Sequence, residues 1–99
     1  MLAFDQGEAR FHYKVGGVAL DRDRVLLSRM PPDEHWALPG GRVEILETSR
    51  QALAREMREE LGVAVRVGRL VWVVENFFDY WGRRNHEVGL YFLMTLPGG

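Results

Sequence analysis

The alternation of hydrophobic and polar positions along the 99-residue chain predicts strands on both sides of one helix. A polar turn joins the first two strands, and an aromatic hairpin loop at residues 76–85 joins the last two. Residues 30–35 and 36–41 contain prolines and glycines that favour loops and turns. The predicted strands comprise residues 11–20, 24–29, 63–74 and 86–96. The order strand, strand, helix, strand, strand predicts an α/β fold.

The helix is predicted at Ser49–Leu61, because both of its ends carry boundary signals. Thr48 followed three residues later by Gln51 matches a capping box, and Gly62 stands where a helix-ending glycine belongs. The apolar positions recur every four residues and predict one buried stripe, formed by Leu53, Met57 and Leu61. One helix can cover only one face of the predicted sheet. Because large exposed apolar patches are rare on soluble monomers, we expect a second subunit, or residues absent from this sequence, to cover the other face.

Composition predicts one small domain comprising residues 1–99, with 46% hydrophobic and 27% charged residues. No apolar run reaches the roughly 18 residues needed to cross a bilayer, and residues 1–10 are too polar for a signal peptide. This pattern favours a cytoplasmic location and no membrane contact. The net charge of −1 argues against strong nucleic-acid binding. Because the chain has no cysteine, a metal site must use oxygen or imidazole ligands, which favour a hard cation.

Five of the nine glutamates fall between residues 44 and 60, and three of them share one sector of the predicted helix. Glu56, Glu59 and Glu60 lie at spacings of three and four residues, beside the apolar stripe. Like charges so placed repel one another, which a bound cation would relieve, and carboxylates without sulfur favour Mg²⁺, Mn²⁺ or Ca²⁺. The alternative is a solvated helix face on which Arg55 and Arg58 pair with these glutamates.

The glutamates belong to a longer pattern of fixed spacing. It consists of Gly41, a gap of five residues, Glu47, a gap of seven residues, and the run REMREELGV at residues 55–63. The pattern resembles the Nudix box of the Nudix hydrolases. The preceding residues 36–41 (WALPGG) are similar to that family's approach to the box. The resemblance implies a Nudix-type α/β/α sandwich with a mixed sheet, whose C-terminal strand and helix are missing from this sequence.

The resemblance also implies roles for the box residues. Three glutamates would ligate a divalent metal, Mg²⁺ or alternatively Mn²⁺, directly or through water. These ligands are Glu56, Glu59 and Glu60. Gly40 would add its backbone carbonyl, and Glu47 would pair with Arg55 so that the ligands stay aligned. The implied reaction is attack of a metal-activated water on the diphosphate of a nucleoside diphosphate linked to another moiety. The implied catalytic residues are Glu59, Glu60, Arg55 and Glu47.

Substrate contacts are predicted outside the box. Phe78 and Tyr80 are candidates to stack a nucleotide base, with core or rim positions as the alternative. Glu87, near the start of the last predicted strand, is a candidate general base or further metal ligand, with a merely solvated carboxylate as the alternative. His12 has no partner at a metal-like spacing and is predicted to lie at the surface. Nucleoside triphosphates, ADP-ribose-like sugars and dinucleoside polyphosphates all remain open as the small-molecule substrate.

Two features depart from the family pattern. Leu46 stands where many members have glycine, and we expect it to stiffen or enlarge that loop without touching a ligand. The sequence ends at Gly99, whereas members usually continue through another strand and a long helix; a homodimer would be another way of covering the sheet. Two other functions fit the fold. One is a Nudix-fold binding or regulatory module without catalysis, and the other is an isomerase of prenyl diphosphates, whose chemistry leans on a cysteine that this chain lacks.

Overall fold

The computed structural model describes residues 2–29, 36–80 and 82–98, which form a mixed sheet and one helix. The predicted α/β class and mixed sheet are therefore confirmed. Within these ranges, no helix has the length and apolar character needed to cross a membrane. The elements are β1 (Ala3–Gln6), β2 (Ala9–Val18), β3 (Leu20–Asp21), β4 (Arg24–Val25), β5 (Gly40–Arg42), α1 (Ser49–Leu61), β6 (Arg66–Tyr80) and β7 (Arg83–Thr95).

The main sheet has five strands, with β1, β2, β7 and β6 side by side and β5 also paired with β2. β2 and β7 run parallel, whereas the other neighbours are antiparallel. A parallel pair needs a long crossover, and α1 lies within the segment that supplies it. One row of the sheet joins His12, Glu87 and Asn76, which are far apart in sequence. β3 and β4 form a separate two-stranded hairpin.

The two faces of the main sheet differ in what covers them. We call one the helix face, because its Val15 and Phe92 are buried in one cluster with Leu53 and Met57 of α1. We call the other the open face, since no second helix covers it among the residues that the structure describes. Side chains alternate between the faces along each strand. The open face therefore carries Lys14 of β2, Glu87 of β7 and Asn76 of β6.

Local signals place the ends of α1 as predicted. The Gln51 N–H donates to Thr48 Oγ1 at 3.1 Å, and the Thr48 N–H donates to Gln51 Oε1 at 3.0 Å, which completes the capping box. Gly62 ends the helix in the left-handed conformation, with φ of 68°, and its N–H donates to the Arg58 carbonyl. The predicted buried stripe is wrong at Leu61, which is 39% exposed. That residue lies in the last turn, beyond the part of α1 that packs on the sheet.

The loop predicted at residues 76–85 is wrong, because most of that segment is strand. β6 continues through Tyr80, β7 begins at Arg83, and Phe78 pairs with Asn85. Aromatic residues favour strands, and β7 supplies the backbone partners that a loop would lack. Residues 76–85 mix polar and aromatic side chains because they lie at the solvent-exposed end of the long β6–β7 hairpin.

Strand boundaries in the first half of the chain also differ from the prediction. β1 lies in a segment to which the pattern assigned no element, and β5 forms within the turn predicted at residues 36–41 because it pairs with β2. The strand predicted at residues 24–29 is confined to Arg24–Val25, with an isolated bridge from Ser28 to Ala37. The loop predicted at residues 30–35 lies outside the described residues.

Candidate active site

The loop before α1 is clamped to the helix by one arginine. Arg55 donates from Nε and from a terminal nitrogen to the two carboxylate oxygens of Glu47, at 2.8 and 3.0 Å, and also donates to the Arg42 carbonyl at 3.0 Å. Glu47 accepts a further hydrogen bond from the Glu44 N–H at 3.0 Å. The hydrogen bond from Arg55 lowers the pKa of Glu47 against the opposing effect of burial. The predicted pairing of Glu47 with Arg55 is therefore present, in bidentate form.

The same arginine contacts two of the three helix glutamates. The second terminal nitrogen of Arg55 donates to Glu56 Oε1 at 2.9 Å and to Glu59 Oε2 at 3.2 Å. The Glu60 carboxylate behaves differently, although the residue is exposed. Desolvation raises the pKa of Glu60, and the negative charges of Glu56 and Glu59 raise it further. Negative charge at this end of α1 is thus only partly neutralised by the chain's own cations.

The donor set is compatible with a hard divalent cation. It consists of carboxylate oxygens of α1 that lie beside β5, and oxygen ligands are those that Mg²⁺ and Mn²⁺ prefer. Space for the carboxylates is built into β5, since a Cβ on Gly41 would overlap the Glu56 carboxyl group. Among the described residues, however, no three acidic or histidine side chains converge closely enough to form a metal cluster by themselves. Arg55 holds Glu56 and Glu59 by one oxygen each.

A cleft of about 320 Å³ lies where β2, β5, β7 and the end of α1 meet. It brings together three predicted site residues from distant parts of the chain, namely Gly40, Glu60 and Glu87. Its wall also contains Lys14, whose Nζ lies 3.5 Å from Glu87 Oε1. The remaining lining residues are Val15, Ser28, Ala37, Leu38, Gly41 and Arg42. The cleft therefore joins an ammonium group and carboxylates in one partly enclosed space.

The predicted aromatic contacts lie outside this lining. By register, Phe78 and Tyr80 share the open face with Glu87, but they are two and four ladder pairs farther toward the hairpin end. At the usual rise of a strand these offsets are about 7 and 13 Å. Phe78 is thus within reach of a substrate that extends along the sheet, whereas Tyr80 lies near the tip.

Two features of this region were not predicted from the sequence. Lys14 was missed, although it is the single lysine of the chain and directly precedes an apolar run in β2, which is a usable signal. His12 is buried, not at the surface as predicted, and its Nε2 lies 2.7 Å from Asn85 Oδ1. The partner of His12 is 73 residues away in sequence, so no local spacing points to it.

Comparison with known proteins agrees with this fold. The profile of the NUDIX domain matches residues 10–99, and the chain belongs to the NUDIX domain family. It is 33% identical over 90 residues to the 8-oxo-dGTP diphosphatase of Proteus vulgaris, covering 87% of this chain and 77% of that protein. It is 41% identical over 63 residues to the CTP pyrophosphohydrolase of Escherichia coli (strain K12), covering 59% of this chain and 47% of that one.

A solved structure shows the same fold. The crystal structure of the MutT NUDIX hydrolase from Burkholderia pseudomallei superposes with a TM-score of 0.73 at 33% identity, covering 89% of this chain and 70% of that one. The chain thus spans about half of the E. coli relative and somewhat more than two thirds of the Burkholderia protein.

Proposed function

We propose that this chain is a divalent-metal-dependent pyrophosphohydrolase that cleaves the diphosphate linkage of a nucleotide. The observation that carries the proposal is the acidic end of α1, held against β5 by the Glu47–Arg55 clamp and opening into a cleft with a lysine. Membership of the NUDIX domain family supports the same activity. The predicted enzyme class and the observed geometry therefore point to one reaction.

The proposed metal ligands are the three helix glutamates and one backbone carbonyl. They are Glu56, Glu59, Glu60 and Gly40. When bound, Mg²⁺ or Mn²⁺ would lower the pKa of a water molecule and neutralise charge on the phosphate oxygens. Arg55 keeps one oxygen of Glu56 and one of Glu59 in fixed positions, while Glu47 fixes Arg55 itself. These contacts orient the carboxylates before a substrate arrives, which is the usual task of residues surrounding a metal site.

Substrate binding is assigned to the cleft and the open face beside it. Lys14 is proposed to bind a phosphate oxygen, since its ammonium group lies in the cleft. Glu87 Oε1 lies 3.5 Å from this ammonium group, and the Glu87 carboxylate is proposed to orient the substrate or to hold a second cation. Phe78 is proposed to stack the base, with Tyr80 at the outer end. The names of the two curated relatives, which specify 8-oxo-dGTP and CTP, favour a nucleoside triphosphate.

The test is a panel of nucleoside triphosphates, nucleotide sugars and dinucleoside polyphosphates, assayed with Mg²⁺ and with EDTA. We expect hydrolysis only with the metal, and a loss of at least about 10²-fold in turnover for Glu60→Gln with an unchanged fold. Glu8→Gln is the matched control, because it removes an exposed carboxylate in the β1–β2 turn. A Glu60→Gln protein that keeps more than half of the wild-type turnover contradicts the site. Nucleotide binding without hydrolysis would identify a binding module instead.

A further inference from the structure

Two glycines on neighbouring strands make room for one aromatic ring on the open face. Gly16 of β2 is the register partner of Tyr91 of β7, and Gly89 lies two residues before Tyr91 on the same face. A Cβ on Gly16 would lie 2.5 Å from Tyr91 Cε1, and a Cβ on Gly89 would lie 2.9 Å from Tyr91 Cε2. The ring therefore occupies the space that two side chains would otherwise fill.

The position of the ring directs its hydroxyl group toward the cleft. The Tyr91 hydroxyl oxygen would lie 3.4 Å from a Cβ on Gly89, so the phenol leans back along β7 in the direction of Glu87. Gly89 is the register partner of Lys14 in β2. Neighbouring strands are about 4.8 Å apart, so the Tyr91 hydroxyl and Lys14 lie on adjacent strands at the same level of the sheet.

Core packing explains a similar arrangement on the helix face, but it does not explain this one. A Cβ on Gly17 would overlap the Met94 side chain, and Met94 is buried in the cluster beneath α1. Tyr91 is only half-buried and lies on the open face. Glycine weakens a strand, and it often marks a place that another group approaches closely. Here two glycines serve a phenol that the core does not need.

We propose that the Tyr91 hydroxyl donates a hydrogen bond to the phosphate group that Lys14 binds. This inference rests on the proposed function, in which the cleft receives the phosphate chain of a nucleotide. A phenol hydroxyl can donate, and the charged oxygens of a phosphate are strong acceptors. The residue is thus a further substrate-binding residue for that reaction.

The surroundings of Lys14 give the second donor a purpose. Lys14 Nζ lies 3.5 Å from Glu87 Oε1, so its positive charge is shared with a carboxylate. Lysine also carries its ammonium group on a flexible stem, whereas the Tyr91 ring is confined by the two glycines. The hydroxyl therefore supplies a donor of fixed direction beside a mobile cation, and the two together hold one phosphate group.

Tyr91→Phe tests the hydroxyl alone, because it keeps the ring. The measurement is the Kd of inorganic pyrophosphate in Mg²⁺ by titration calorimetry, with KM for the nucleotide that the wild type hydrolyses fastest. We expect both constants to rise about tenfold, which corresponds to about 1.4 kcal/mol, at an unchanged melting temperature. Tyr13→Phe is the matched control, because it removes a phenol hydroxyl from the helix face of β2, and it is expected to bind as the wild type does.

Gly89→Ala displaces the hydroxyl without removing it. The new Cβ would lie 2.9 Å from the ring, so the ring must move, and we expect a similar loss of pyrophosphate affinity. The double variant of Gly89→Ala with Tyr91→Phe should bind no more weakly than either single variant, because both changes act through one hydroxyl. If Gly89→Ala does not fold, the comparison of Tyr91→Phe with Tyr13→Phe decides.

Three results overturn the inference. They are a Tyr91→Phe protein that binds pyrophosphate as tightly as the wild type, an equal loss of affinity in Tyr13→Phe, and a wild type that does not bind pyrophosphate. A lower melting temperature of Tyr91→Phe with unchanged affinity belongs to the first result and assigns the hydroxyl to the fold. Failure of the proposed function is seen separately, as a wild type that hydrolyses no nucleotide with Mg²⁺, whatever Tyr91→Phe does to pyrophosphate binding.

Discussion

A single exposed loop residue stores backbone strain that a substitution should release. Leu46 has φ of 68°, in the left-handed region that side chains with a Cβ rarely adopt. Its side chain is 98% exposed, so burial contributes nothing to offset the strain. The adjacent Glu47 must stay in place for the clamp on Arg55, and its N–H donates to the Glu44 carbonyl at 3.1 Å. The loop conformation is therefore held by contacts on either side of Leu46.

The expected gain from Leu46→Gly is the difference between two opposing effects. A left-handed residue with a Cβ costs about 1–2 kcal/mol, which glycine avoids. Glycine in turn gives the unfolded chain more freedom, at a cost of about 0.4–1 kcal/mol. The net stabilisation is about 0.5–1 kcal/mol. In a domain of this size each 1 kcal/mol shifts the melting temperature by about 4–8 °C, so we expect a rise of about 2–8 °C.

The assay is thermal unfolding followed by circular dichroism, with two controls. Leu46→Ala removes the side chain but keeps the Cβ, so it keeps the strain and is expected to melt with the wild type. Ile45→Gly places the glycine one residue earlier, at an exposed position without positive φ, and is expected to melt lower. A Leu46→Gly protein that melts at or below the wild-type temperature contradicts the assignment of backbone strain to Leu46, as does an equal gain for Leu46→Ala.

Four further outcomes are expected. Glu47→Gln should melt at a lower temperature than wild type at pH 7, and this difference should shrink as the pH falls below 4.5. The reason is that a carboxyl group with a lowered pKa stabilises the fold only while it is ionised. A difference in melting temperature that stays constant across that pH range contradicts this expectation. Mg²⁺ at a hundredfold excess over its Kd should stabilise wild type by about 2.7 kcal/mol. The double variant Glu56→Gln with Glu60→Gln should not respond. In EDTA, loss of the Glu60 charge should offset loss of the Arg55–Glu56 ion pair, because a raised pKa of Glu60 means that its ionisation opposes folding, so the variant should melt no lower than wild type. Gly41→Ala should displace Glu56 and reduce the Mg²⁺ response in the same melts.

Much of α1 and its clamp was predictable from the sequence, because both depend on residues close together in the chain. The capping box joins Thr48 to Gln51, and Gly62 ends the helix with a hydrogen bond to Arg58. The pairing of Glu47 with Arg55, which the resemblance to the Nudix box implies, spans eight residues that a loop and two turns of helix bring together. Hydrogen bonds over such short separations are encoded in local residue order.

Which residues form strands of the sheet depends on pairing partners that are far apart in sequence. Residues 76–80 contain polar and aromatic residues that fit a loop as well as a strand, and pairing with β7 makes them strand. β5 likewise needs β2 as a partner, because three residues with two glycines have little strand preference of their own. Backbone N–H and C=O groups must be paired when buried, so the available neighbour selects the conformation.

Local residue order accounts for the helix and its acidic end, since turns of a helix align residues three and four apart without outside help. Strand pairing across the whole sheet sets which other groups face that acidic end. Parallel pairing of β2 with β7 sets Lys14 and Glu87 in the cleft with Gly40, and buries His12 against Asn85. Those contacts join segments more than 70 residues apart. Their cause is the burial of one sheet face beneath α1, a property of the whole chain that no short segment carries.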